Sequence, residues 1–248
     1  MSGPVRVAAV GDIHLAPDAA GRYRGAFQAL DGQADVLLLA GDLTRHGSAE
    51  EARTVAAEVA GLPVPVLAVL GNHDHQAGRP DEVAAILRDE GGVGVLEGSA
   101  TVLTLAGRRV GVAGTKGFGG GFPGRCCSEF GEEEMKAFVR YSRRLAEGLH
   151  EALEGLAGCD LRIALTHFSP VPDTLAGEPL EIYPFLGSYL LAEAIDAGGA
   201  DLAVHGHAHA GTERGLTTGG VPVRNVAQPV IRHAFALYEL DGDARRPL

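Results

Sequence analysis

The sequence predicts an α/β fold in which mixed β-sheets are covered by helices. Two features carry this expectation. Through the first half of the chain, short aliphatic runs of about five residues alternate with longer segments of helical periodicity. Farther along, apolar runs separated by a tight turn add strands that pair antiparallel, so the sheet content is mixed.

Residues 5–10, Val-Arg-Val-Ala-Ala-Val, read as the first strand, residues 23–30 as a short helix and residues 36–40 as a second, wholly aliphatic strand. Residues 49–60 have helical spacing and Ser48 stands where an N-cap belongs. A third strand follows at 66–70, and helix-bearing crossovers between such strands favour parallel pairing. After a helix at 81–88, strands at 101–105 and 109–113 are joined by the turn Ala106-Gly107-Arg108. Residues 132–156 form a long amphipathic helix whose Met135, Phe138, Val139, Leu145, Leu149, Leu153 and Leu156 are expected in the core. Buried strands resume at 163–166 and 202–204, separated by a Pro-rich loop and a helix starting near Ser188. Residues 221–226 and 235–240 are expected to add antiparallel sheet. No repeat or linker divides the chain, so one domain over 1–248 is expected, with segments 115–131 and 169–188 as cap or lid.

The apolar runs fall far short of the roughly 20 residues that cross a bilayer. The start of the chain lacks the cationic and apolar pattern of a secretory signal, so a cytoplasmic protein without membrane contact is expected. Cys126, Cys127 and Cys159 lack metal-knuckle spacing and are expected as reduced thiols. The formal charge of −11 opposes broad attraction to nucleic acid, whereas a small phosphorylated substrate remains compatible because bound cations would reverse the local field.

Side chains with metal-ligating chemistry follow successive strands: Asp12 and His14, then Asp42, then Asn72, later His167, and finally His207 and His209. Asp, Asn and His taken singly belong to turns and caps as readily as to metal sites. Their recurrence changes the reading, because each interval from Asp12 to Asp42 to Asn72 spans one strand-plus-helix unit. Parallel topology returns such residues to one sheet edge, where ligands gather. Asp12 and His14, like His207 and His209, are spaced so that an extended backbone turns both members to one side. Imidazole, carboxylate and amide oxygen together suit zinc, manganese or iron better than calcium. Asp42 is the natural bridge between two ions, since a carboxylate offers two oxygens and a negative charge. Gly41, Gly71 and Gly206 precede ligand positions and permit close backbone approach.

Asp12-Ile13-His14, Gly41-Asp42, Gly71-Asn72-His73-Asp74, Thr166-His167 and Gly206-His207-Ala208-His209 resemble, in order, the motifs of the calcineurin-like metallophosphoesterases. The resemblance implies a β-sandwich-like core of mixed sheets flanked by helices. It also implies two divalent or trivalent transition-metal ions, one held by Asp12, His14, Asp42 and His209 and the other by Asp42, Asn72, His167 and His207. The reaction so implied is hydrolysis of a phosphate ester, a phosphodiester before a monoester, by water activated between the two ions. His73 matches the family histidine that contacts phosphate and protonates the leaving oxygen, and Asp74 is expected to orient that imidazole by accepting a hydrogen bond.

Competing readings share or lack particular residues. A phosphomonoesterase carries the same motifs, and a nuclease is opposed by the acidic charge. A non-catalytic metal-binding scaffold would be marked by loss of a ligand or of His73, and every such position is filled. His46, His75 and His205 flank the motifs as supporting or solvent-facing groups, while His150 and His233 are expected outside the site. The Gly-rich segment 114–122 lacks the phosphate-loop spacing and is expected to form a turn or lid, with Lys116 and Arg125 as candidate substrate cations. Tyr183 and Phe185 lie in segment 169–188, whose simpler reading is a surface loop and whose alternative is a second rim of the site.

Overall fold

The computed structural model describes residues 3–241. The first half runs β1 (Val5–Val10), α1 (Arg24–Gln28), β2 (Val36–Ala40), α2 (Ala49–Val59), β3 (Val66–Val69), α3 (Pro80–Asp89) and the short β4 (Gly94–Val95). The chain continues through β5 (Ser99–Leu105), β6 (Arg108–Thr115), β7 (Gly121–Phe122), β8 (Arg125–Cys126), α4 (Glu133–Glu154) and β9 (Leu161–Thr166). The remainder comprises α5 (Tyr183–Leu186), α6 (Tyr189–Gly198), β10 (Leu202–His205), β11 (Arg214–Leu216), β12 (Pro222–Asn225), α7 (Gln228–Ile231) and β13 (Ala236–Leu240).

Helical crossovers make β1 through β4 parallel, and β13 closes that sheet antiparallel to β1, giving the order β13-β1-β2-β3-β4. The second sheet runs β11-β12-β10-β9-β6-β5, parallel through β12, β10, β9 and β6 with an antiparallel strand at each edge. Alternation along each strand divides the side chains between two faces. Val7, Ala9, Leu38 and Ala40 of the first sheet meet Val112, Ile163, Leu165 and Val204 of the second. Their neighbours Ala8, Val10, Leu37 and Leu39 turn outward onto Phe27, Val55, Val83 and Leu87 of α1, α2 and α3. On the far side Ala113, Ala164 and Ala203 pack under Leu149, Leu153, Leu191 and Ile195 of α4 and α6. The expected α/β fold, with mixed sheets stacked face to face between helices, is the one observed.

Local chemistry accounts for the element boundaries. Ser48 Oγ accepts from Glu51 N while the Glu51 carboxylate accepts from Ser48 N, so both start the α2 helix in a capping box. Three expectations need correction. Met135 is exposed, because it lies one turn ahead of the buried face made by Val139, Ser142, Ala146, Leu149 and Leu153. Phe138 and Leu145, also expected in the core, are half-buried. Finally, β12 is parallel to β10, and its antiparallel partner is β11, a three-residue strand with a central glycine too short to show a period. Among the described residues no helix is long and apolar enough to cross a membrane.

Candidate metal centre

The parallel strands deliver the expected residues to their carboxyl ends, where the backbone leaves extended geometry abruptly. Asp12, His14, Asp42 and His207 have φ of 57°, 43°, 51° and 71°, a region L side chains seldom occupy. Close approach explains two of the glycines: a Cβ at Gly71 would collide with Asp42 Oδ1, and one at Gly206 with Asp12 Oδ2.

The donors come from both sheets. Asp12 after β1 accepts from His207 N, at 3.1 Å to Oδ1 and 2.9 Å to Oδ2, and lies 2.8 Å from His209 Nε2. Asp42 after β2 faces two ways, with Oδ2 3.9 Å from His14 Nε2 and Oδ1 3.3 Å from His167 Nε2. His167 Nε2 is also 2.9 Å from Asn72 Oδ1. Three groups place one donor atom from each member within 4.8 Å of the others: Asp12, His14 and His209; His14, Asp42 and His73; Asp42, His167 and His207.

Two features fit cations at these groups. His167 Nδ1 donates to the Ala40 carbonyl at 2.8 Å, which aims Nε2 at the Asp42 and Asn72 oxygens, where it would serve as a ligand nitrogen for a cation held among them. His14 Nε2 is buried with no hydrogen-bond partner. Burial pushes His14 to about 4 and His207 to about 3, which leaves both imidazoles neutral at neutral pH, as ligation requires. Burial also raises Asp42. For Asp12 burial acts upward too, but the His209 hydrogen bond and the nearby His167 and His207 outweigh it and leave the carboxyl below its ordinary range, while the same contact raises His209.

His73 and Asp74 do not make the expected pair. His73 Nδ1 donates to the Arg45 carbonyl at 2.8 Å, leaving Nε2 3.9 Å from Asp42 Oδ2. Asp74, fully buried, accepts from Leu43 N, Thr44 N, Thr44 Oγ1 and Gly71 N, so its lone pairs are committed to the loops that carry Asp42 and Asn72. Adjacent residues in this turn point apart, which is why sequence adjacency misled.

The flanking residues sort as follows. His205 is fully buried, with Nδ1 2.7 Å from the Gly206 carbonyl and Nε2 2.8 Å from Thr174 Oγ1. His46 Nδ1 lies 3.2 Å from Gln76 Oε1, and His75 Nε2 is buried without a partner. His150 lies beside Glu154 on α4 and His233 is exposed. The two expected cap segments are joined to each other, Gly120 N to the Pro184 carbonyl and Gly121 N to the Gly187 carbonyl. The second reaches the centre, since His207 Nε2 lies 3.2 Å from the Phe185 carbonyl while the Phe185 side chain is 61% exposed. Arg125 is exposed on β8. Lys116 is 4% exposed, enclosed beneath aromatic rings, and so is no surface cation. The part played by Phe168, packed 4.2 Å centroid to centroid from His207, was not foreseen, because a phenylalanine after a strand carries no ligand signature.

Comparison with known proteins places these observations. A family model described as calcineurin-like phosphoesterase matches residues 5–211. A comparison with curated proteins finds no match. Among solved structures, a phosphopantetheinyl hydrolase from Mycobacterium tuberculosis superposes with a TM-score of 0.67 at 16% identity, covering 94% of this chain and 92% of that one. A putative 5'-nucleotidase from Staphylococcus aureus gives 0.58 at 16% identity over 90% of this chain and 48% of that one. GAP50, the anchor in the inner membrane complex of Plasmodium, gives 0.57 at 13% identity over 92% and 72%. At these identities the likeness is one of fold.

Proposed function

The chain belongs to the calcineurin-like phosphoesterase family of metal-dependent phosphoester hydrolases, and from that premise we propose that it works with two ions and prefers a phosphodiester. One ion is assigned to Asp12, His14, Asp42 and His209, the other to Asp42, Asn72, His167 and His207. The observation that carries this is the Asp42 carboxylate, whose two oxygens face His14 on one side and His167 on the other. Bound ions supply charge that neutralises phosphate oxygens and acidifies water.

The chain's own residues divide the remaining work. His73 has one ring nitrogen held by the Arg45 carbonyl, and the other faces the region beside Asp42 where a leaving oxygen would lie. Once protonated, Nε2 can place its proton on that oxygen. Asp74 keeps the Asp42 and Asn72 loops in register through its four donors and so acts on the site through position. The diester preference is supported by an apolar rim at Phe185, whose carbonyl lies 3.2 Å from His207 Nε2 and whose exposed side chain suits a second organic group on the phosphate. Segments 115–131 and 169–188 are read as the cap that carries this rim over a single domain.

The test is metal analysis of the purified protein, then turnover of bis(p-nitrophenyl) phosphate and p-nitrophenyl phosphate after loading with manganese, zinc or iron. Two ions per chain and a higher kcat/KM for the diester are expected. A higher value for the monoester overturns the preference, and a single ion at saturation overturns the bridging role of Asp42.

A further inference from the structure

Lys116 follows β6 and is buried, yet among the described residues its ammonium forms no ion pair. Its sole hydrogen bond runs from Nζ to the Gly117 carbonyl at 3.1 Å. In place of a carboxylate it has three rings, with Nζ 4.8 Å from the centroid of Phe118, 5.0 Å from Phe168 and 5.4 Å from Tyr141. Burial lowers its pKa to about 8, against which Glu97 and Asp42 act only partly. Burying a charge without a paired one is costly, and cation–π contacts offset that cost only in part. A methionine of similar length would fill the space without that electrostatic cost. The charge is therefore costly to the fold, and its use should be sought in what it touches.

What it touches leads to the centre. The Phe168 ring, 4% exposed, lies over the Lys116 ammonium and packs 4.2 Å from the His207 ring and 5.5 Å from the His167 ring. His207 needs such support. It sits in a left-handed backbone conformation, and the Phe185 carbonyl, 3.2 Å from Nε2, is the hydrogen-bond partner of its ring. Donation by Nε2 to that carbonyl leaves the Nδ1 lone pair free, and the direction of that lone pair depends on the ring plane that Phe168 limits. The Lys116 backbone already holds the same strand, its carbonyl accepting from His167 N and Phe168 N at 3.0 Å each. The side chain can thus be changed while those bonds remain.

We infer that Lys116 is a positioning residue, whose ammonium fixes the Phe168 ring against His207 and thereby sets ion affinity at the group of Asp42, His167 and His207. This rests on the two-ion reading above. Electrostatics alone predicts the opposite result for removal of the charge, because taking a cation away from two metal ions relieves repulsion and tightens binding. A loss of affinity would therefore report geometry.

The experiment is titration of manganese into metal-free wild type, Lys116→Met and Phe168→Leu, followed calorimetrically, with the sites distinguished by anomalous scattering. For Lys116→Met, affinity at the His207 group should fall by about tenfold, the scale typical of groups that orient a ligand, while the His14 and His209 group changes by less than about twofold. The melting temperature of the metal-free variant should equal or exceed that of wild type, since a buried unpaired charge has gone. Phe168→Leu should give the same selective loss with the charge still present. Unchanged or tighter binding in Lys116→Met overturns the inference, as does an equal loss at both groups with a lower melting temperature. Wild type that binds fewer than two manganese ions would refute the two-ion reading itself, and the inference with it.

Discussion

At the scale of single residues, His73 and Asp74 stand side by side in sequence and do separate work. His73 directs a ring nitrogen toward the Asp42 carboxylate, whereas Asp74 is enclosed by backbone donors. His73→Ala should keep the wild-type metal content and lose roughly 10²-fold or more in kcat on an alkyl ester, with a smaller loss on a nitrophenyl ester whose oxygen departs without a proton. Equal losses on both esters would make His73 a phosphate-binding group. Asp74→Ala should instead cost about 3 kcal/mol or more in urea unfolding, since several buried N–H groups lose their acceptor. Unchanged stability with reduced turnover would return Asp74 to a chemical role. The convergence of the candidate ligands was legible because Asp, Asn and His recur at successive strand ends. The use of Asp74 and Lys116 was not, because backbone amides and aromatic rings gathered from positions 118, 141 and 168 leave no local pattern.

At the scale of elements, the strand-end turns decide how near the candidate ligands stand. Gly71, between β3 and Asn72, has no room for a methyl group because Asp42 Oδ1 occupies it. A Cβ there would press on the Asp42 backbone amide as well as its carboxylate, so Gly71→Ala should displace the Asp42 loop, weaken manganese binding by at least about tenfold and lower the melting temperature of the metal-free protein. Wild-type affinity in that variant would show that the loop yields and that the close approach is incidental. The strands β1, β2 and β3 were readable from uninterrupted aliphatic runs, and α2 from Ser48 with Glu51. What escaped was partnership. A run such as Val223 to Asn225 reveals a strand, but nothing local names its parallel neighbour β10, whose open edge it joins. Likewise α4 announced its apolar face but not where along that face packing begins, which leaves Met135 in solvent.

For the whole molecule, the candidate centre lies across the seam between two sheets. Asp12 and Asp42 leave the first sheet, His167 and His207 leave the second, and two of the three groups described above mix the two. Ions that bind this arrangement and not the unfolded chain stabilise it by about 2.7 kcal/mol at a concentration one hundred times Kd. Chelation should lower the melting temperature and speed amide exchange at the carboxyl ends of β1, β2, β9 and β10 before it does so at β5 or β13. A melting temperature indifferent to chelation would mean that the sheets hold each other without help. The same seam has a consequence during synthesis. Asp12 and His209 meet across 197 positions of sequence, so a chain still emerging from the ribosome displays Asp12, His14, Asp42 and Asn72 long before their histidine partners exist. Ions met at that stage find an oxygen-rich fragment, and the complete mixed donor set appears only once residue 209 is free. Selection among metals by the proposed set would therefore belong to the finished protein.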